Sequence, residues 1–282
     1  MIKISTPVTV TPLPVKLSLH DRITVLGSCF ADSVGKRLSA AGFDVCVNPF
    51  GTLYNPVSVC NSAARLSSGV PFTEKDCVEM GAGAGLVCSF SHHTSFARPT
   101  AGEFLDVANA ALSQASSFWK SSSKVIITLG TALVWKLAGS GEVVSNCLKR
   151  PAAEFSHEML PLHQVAATLR LLVESNPGKE FIFTVSPIRH LGDGAHANTL
   201  SKGILQLALA QLGLPYFPAY EILLDELRDY RYYAEDLVHP SKLAEDIIWE
   251  RFKESAVAEG DLPRLRLNEK ASLASAHRPI HG

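Results

Sequence analysis

The sequence predicts an α/β fold: a three-layer α/β/α sandwich with a mainly parallel central sheet and inserted hairpins. Continuous apolar, β-branched runs recur at Ile23-Thr24-Val25-Leu26, Lys124-Val125-Ile126-Ile127-Thr128-Leu129 and Phe181-Ile182-Phe183-Thr184-Val185. That is the pattern of strands buried on both faces. Helical periodicity fills much of the sequence between them. Polar stretches follow the strands, where ligand sites of such sheets lie.

The chain has 282 residues, 46% of them hydrophobic, which is enough for a sizeable core. The expected organisation is one domain over residues 1–255, with a hairpin insertion at 70–100, and a peripheral C-terminal tail at 256–282. A net charge of -1 argues against nucleic acid or an anionic membrane as partner. No apolar run reaches spanning length. Residues 1–16 lack the compact apolar core of a signal peptide. Six cysteines, at 29, 46, 60, 77, 88 and 147, form no C-x-x-C pair. No metal, cofactor or disulfide framework is therefore expected, and reduced thiols in the cytoplasm are. Oligomeric state is not encoded at this level.

Residues 1–19 read as extended, broken by Pro7, Pro12 and Pro14. After the first strand, residues 32–41 carry Val34, Leu38 and Ala41 at helical spacing. Phe43-Asp44-Val45-Cys46-Val47 alternates as a second strand. The loop from Asn48 ends where Asn55 caps, and Pro56 opens, a helix reaching about Leu66. Two short apolar runs flank Gly81-Ala82-Gly83-Ala84-Gly85. A strand, not a helix, follows these glycines, so they mark a hairpin and not a dinucleotide loop. Helices are expected at 102–119, 158–174, 198–212 and 242–255, and a second hairpin within 139–155. Leu214-Pro215-Tyr216-Phe217 reads as a short last strand, and residues 221–227 as a helical turn or two.

Two stretches carry chemistry. Gly27-Ser28-Cys29 links a strand to a helix, so Ser28 and Cys29 stand where unpaired amides and the helix dipole favour an anion. A thiol there is a nucleophile, although a small apolar cysteine would also suit the turn. In Asp236-x-x-His239 the carboxylate can reach the imidazole Nδ1 and leave Nε2 free as a base. A capping aspartate beside a surface histidine gives the same spacing. The adjacent His92 and His93 point in different directions on any regular element, so substrate or structural contacts fit them better than a metal pair.

Gly27-Ser28-Cys29-Phe30-Ala31 is the signature naming the GSCFA domain family. The chain resembles that family also in Asn48-Pro49-Phe50-Gly51-Thr52, Thr128-Leu129-Gly130-Thr131, Ser186-Pro187-x-Arg189-His190, His196-x-Asn198-x-x-Ser201-Lys202 and Asp236-x-x-His239-Pro240-Ser241. The family looks related to the SGNH (GDSL-like) hydrolases, which implies a flavodoxin-like sheet. Laid on their Gly-Asp-Ser turn without gaps, Gly27 matches the glycine, Ser28 the aspartate and Cys29 the serine. The resemblance thus makes Cys29 the nucleophile, and a one-residue shift would make it Ser28. It makes His239 the base, Asp236 its orienter and Gly51 an oxyanion donor. Ala132 stands where those enzymes have an oxyanion asparagine, and Thr131 is the available substitute. His92, His93, Asn146, Arg189 and His190 would shape the substrate pocket, Arg189 favouring an anionic or polyhydroxylated group. The implied function is an esterase or deacylase working through a covalent acyl-enzyme, with a small-molecule or carbohydrate ester as substrate. An acyltransferase, or a ligand-binding protein with weak catalysis, would use the same scaffold.

Overall fold

The computed structural model describes residues 5–276. The expected extended course of residues 1–4, and the tail at 277–282, lie outside the described residues. The chain opens with β1 (Arg22–Gly27), α1 (Cys29–Ala41), β2 (Asp44–Val47) and α2 (Pro56–Ser68). The antiparallel hairpin β3 (Val78–Glu79) and β4 (Val87–Cys88) follows. Next come α3 (Ala101–Ser121) and β5 (Lys124–Leu129). Strands β6 (Leu133–Leu137), β7 (Val143–Val144) and β8 (Phe155–Met159) form a separate antiparallel sheet in the order β7-β6-β8. The chain returns to the core through α4 (Leu162–Glu174), β9 (Glu180–Val185) and α5 (Gly194–Leu212). The short α6 (Ala219–Glu221) runs into a π-helical turn, Ile222–Leu227, before α7 (Lys242–Ala256) and α8 (Leu262–Ala276).

The main sheet is parallel, in the order β2-β1-β5-β9. Tyr216 adds a single parallel bridge to Phe183 where the last short strand is expected. Successive residues of a strand face opposite sides, and the two cores divide accordingly. Leu26, Val125, Ile127, Phe181 and Phe183 pack with α2, α3, α4 and α5. Ile23, Val25, Ile126 and Ile182 pack with α1, α7 and α8. This is the mixed α/β sandwich that the sequence predicts. Helix α1 leaves the end of β1 toward one neighbour while β5 lies on the other side, so the order reverses between β1 and β5. Such a switch point leaves a crevice at the strands' carboxyl ends.

Several boundaries differ from expectation, among them the start of α5 at Gly194 in place of residue 198. Helix α1 begins at Cys29, not at residue 32, because Ser28 is its N-cap and accepts from Phe30 N. Glu158 and Met159 belong to β8, not to a helix: Leu133 to Leu137 pair in register with Met159 to Phe155, and α4 starts only after Pro161. Residues 262–276 are not a peripheral tail but the helix α8. Its Leu265 is fully buried, and Asn268 Nδ2 donates to Ala41 O at 2.9 Å. Trp249 Nε1 donates to Glu269 Oε1 at 2.6 Å. Residues 13–17 pack against the end of α7, with Leu13 N donating to Ser255 O and Leu17 N to Ala256 O. Among the described residues no helix is long and apolar enough to cross a membrane.

Candidate active site

The turn after β1 is built by close backbone approach. Gly27 has φ of 140°, and a Cβ there would sit 2.1 Å from Thr128 O of β5, so only glycine fits. Ser28 N donates to Thr128 O at 3.0 Å. The Ser28 side chain is fully buried, with Oγ 3.2 Å from Thr128 Oγ1 and accepting from Phe30 N at 3.3 Å. Its hydroxyl is thus engaged by the scaffold.

Cys29, one residue on, faces outward. Its Sγ lies 3.5 Å from His239 Nε2. On the far side of that ring, Nδ1 lies 2.6 Å from Asp236 Oδ2. The other carboxylate oxygen, Asp236 Oδ1, accepts from the backbone N–H groups of Val238 and His239, each at 2.9 Å. These hydrogen bonds, that of His239 N first, lower the Asp236 carboxyl to about 2, so it is ionised across the physiological range. Burial pushes the Cys29 thiol up, while its own amide N–H, at the start of α1, pulls the other way.

Asn48 fixes this turn to the loop after β2. Its Oδ1 accepts from Gly27 N at 2.8 Å, and its Nδ2 donates to Asp32 Oδ1 at 2.8 Å. The residue adopts φ of 41°, a region that asparagine tolerates better than most. Sequence reasoning placed Asn48 only in a converging loop. The asparagine before Pro49 is the signal for such a fold-back, but its partners are far apart in the chain.

The expected oxyanion donors are otherwise engaged. Gly51 N closes a turn onto Asn48 O at 2.8 Å. Gly130 N and Thr131 N both donate to Tyr54 O at 2.8 Å. Thr131 Oγ1 lies 2.8 Å from Ser201 Oγ and accepts from Leu133 N at 3.0 Å. In this structure the Gly51 and Thr131 amides each donate to a backbone carbonyl, and the threonine hydroxyl lies in a scaffold network.

The pocket residues divide likewise. His92 is fully buried among Phe50, Phe72, Phe96 and Phe104, with Nδ1 2.9 Å from Ser89 Oγ, so it supports the hairpin and does not face a substrate. His93 is exposed, packs against Gly51 and caps a short turn by accepting from Ser95 N. Asn146 Oδ1 accepts from Leu148 N at 2.8 Å and closes a turn. Arg189 Nη1 donates to Leu237 O at 3.1 Å and Arg189 N to Val238 O at 3.1 Å. Arg189 thus clamps the Asp236–His239 loop, and its guanidinium lies over the Tyr233 ring. His190 does approach the turn after β1. Its buried Nε2 has no hydrogen-bond partner among the described residues and points at Gly130, which also abuts Ser28 Cβ. Burial, Lys202 and His239 lower the His190 ring to about 4, so it is neutral near pH 7.

A groove of about 830 Å³ runs from Cys29 along α1 toward α7 and α8. Asp32, Lys36, Lys242 and Glu250 line it with charges of both signs. Cys29 is among the side chains that line it.

Two solved structures align with most of the chain. The psychrotrophic esterase EstA from Pseudoalteromonas sp. is 12% identical with a TM-score of 0.40, over 83% of this chain and 96% of that one. A candidate acylhydrolase of Bacteroides fragilis NCTC 9343 is 12% identical with a TM-score of 0.42, over 90% of this chain and 92% of that one. Comparison with curated proteins gives no match. The model of the GSCFA family matches residues 22–252, the stretch holding the Cys29 turn, the Asn48 clasp and the Asp236–His239 loop, and the chain belongs to that family.

Proposed function

We propose that this protein hydrolyses ester bonds through a thioester formed on Cys29. The observation that carries the reading is the alignment of Cys29 Sγ, the His239 ring and Asp236, with contacts of 3.5 and 2.6 Å. His239 Nε2 removes the thiol proton, and the thiolate attacks the ester carbonyl carbon. The tetrahedral intermediate collapses, its C–O bond breaks, and the imidazolium returns the proton to the leaving alkoxide. Water, deprotonated by His239, then cleaves the thioester to a carboxylic acid and the thiol. Cys29 N, at the helix start, is the donor for the developing oxyanion. The mixed charge of the groove supports a polar ester, with acylated carbohydrate as the favoured class. Its volume leaves room for an acceptor alcohol as well as water, which favours acyl transfer as the second reading. A catalytic thiol works in its reduced form, and the absence of a disulfide among the six cysteines supports a cytoplasmic site of action.

Short-chain aryl esters test the reading. Turnover by the wild type, lost in Cys29→Ala and His239→Ala and kept in Ser28→Ala, is the expected result. Turnover that survives His239→Ala overturns the base assignment. Activity lost in Ser28→Ala but kept in Cys29→Ala moves the nucleophile to Ser28. Release of alcohol without release of acid, when an acceptor alcohol is present, selects transfer over hydrolysis.

A further inference from the structure

Arg189 stands between two adjoining cavities, of about 150 and 230 Å³, that share Arg189, Leu224 and Tyr233 as walls. The first lies between the start of α5 and the π-helical turn. Leu223, which is 1% exposed, lines it together with Leu191 and Tyr220. Its polar side chains are already engaged. Asn198 Oδ1 accepts from His190 N at 2.9 Å, and Thr199 Oγ1 donates to Ala195 O at 3.0 Å. The apolar walls are therefore what this cavity offers a ligand. The second cavity reaches solvent beside Tyr230, which is 65% exposed, and is lined also by Arg228 and Asp229.

The charges at this mouth do not balance. Asp229 accepts from Arg231 N at 2.9 Å and from Arg231 Nη2 at 3.0 Å, so that carboxylate has its cation. Among the described residues neither Arg189 nor Arg228 has a carboxylate within ion-pair distance, whereas Arg37, Arg150 and Arg251 each have one. Of the five N–H groups of a guanidinium, Arg189 gives one to Leu237 O. Arg228 closes the π-helical turn, its N donating to Leu223 O at 3.2 Å, and it does so at φ of 23°. A residue other than glycine is strained there, as residues at ligand clamps often are.

Two uncompensated arginines beside an apolar cavity match a ligand with an anionic head and an apolar chain. We propose that this cleft binds a short-chain carboxylate, its head held by Arg189 and Arg228 and its chain lying against Leu191, Tyr220 and Leu223. Arginine suits the head because its planar fork matches the two carboxylate oxygens. The carboxylic acid released in the proposed hydrolysis is a ligand of this class, and only that link rests on the hydrolase reading. Arg189 also bonds Leu237 O and Val238 O, so the acid is held against the loop that carries His239.

Isothermal titration calorimetry with sodium hexanoate, sodium butyrate and hexanol tests the proposal without turnover. The wild type is expected to bind hexanoate saturably and about tenfold more tightly than butyrate, because two further methylenes leave water. Hexanol, which lacks the charge, is expected to show no saturation over the same range. Arg228 is exposed and its side chain makes no hydrogen bond among the described residues, so Arg228→Gln should melt like the wild type. It is expected to weaken hexanoate about tenfold, and Cys29→Ala to leave it unchanged. Absence of saturable hexanoate binding overturns the proposal. So does equal affinity for butyrate or for hexanol, which needs no variant. Affinity that survives Arg228→Gln also overturns it, and a fall in Cys29→Ala moves the carboxylate to the nucleophile. Hexanoate binding in a protein that turns over no ester ends the hydrolase reading and keeps the site.

Discussion

Gly51 and His93 meet so closely that a Cβ on Gly51 would lie 2.1 Å from His93 Cβ. Gly51 also has φ of 91°, outside the range of most L-residues. The hairpin insertion is thereby pressed onto the loop beside the nucleophile turn, and His93 N donates to Phe50 O at 2.9 Å. Gly51→Ala is expected to cost about 2 kcal/mol or more in chemical denaturation. Because the clash is with a β-carbon, His93→Ala will not relieve it. His93→Gly will restore part of the loss, and the backbone strain at residue 51 will remain.

Ser28 and Cys29 should separate stability from chemistry. Ser28→Ala removes the cap of α1 and a buried contact to Thr128 Oγ1, so a loss of about 1 kcal/mol is expected. Cys29→Ala leaves those bonds intact and should change stability by less than about 1 kcal/mol while abolishing acylation. Thermal melts and mass spectrometry of the acyl-enzyme measure the two effects.

Asp236→Asn should keep the fold and lose the rate. An amide nitrogen in place of Oδ2 would face the His239 Nδ1 proton and favour the wrong tautomer. A fall of roughly 10²- to 10⁴-fold in kcat is expected, with KM little changed. Since Asp236 stays ionised down to about 2, an acid limb near pH 6 in the wild-type rate profile cannot belong to it.

Acid should weaken the protein through His92. Burial lowers this ring to about 4, and its Nε2 has no partner among the described residues. The unfolded chain takes up a proton at its ordinary value of about 6.5, whereas the folded protein resists protonation until about 4. Stability from this group is therefore full above pH 6.5 and declines as pH falls to about 4, a loss on the order of 3 kcal/mol. Urea denaturation across that range should show a shallower decline for His92→Phe than for the wild type.

The layer structure is legible in the sequence because buried parallel strands are continuous apolar runs and their helices keep a single apolar stripe. The approach of Cys29 to His239 is legible in part, since a strand-to-helix turn fixes one partner's place at the sheet edge. The donor set is not. Whether Gly51 N or Thr131 N is free depends on Asn48 O and Tyr54 O, and no local pattern states where those carbonyls point. Lys202 is equally hidden, because a lysine on a helix normally faces water and only the tertiary fold carries this one to Gly130 O and Ser186 O. Strand β8 is obscured because its alternation is short and abuts the helical pattern of α4.

The clasp formed by Asn48 and the grip of Asp236 on its own loop divide the site into two stiff pieces. On one side, Gly27, Asp32 and Asn48 are joined, so the thiol is anchored to the sheet. On the other, the carboxylate holds residues 238 and 239 by their backbones, and the imidazole travels with it. Displacement of the second piece against the first alters the gap between sulfur and imidazole and leaves the carboxylate–imidazole contact as it was. In the proposed reaction, proton transfer from the thiol crosses the 3.5 Å gap between the two pieces, and Arg189, bonded to residues 237 and 238, anchors the second.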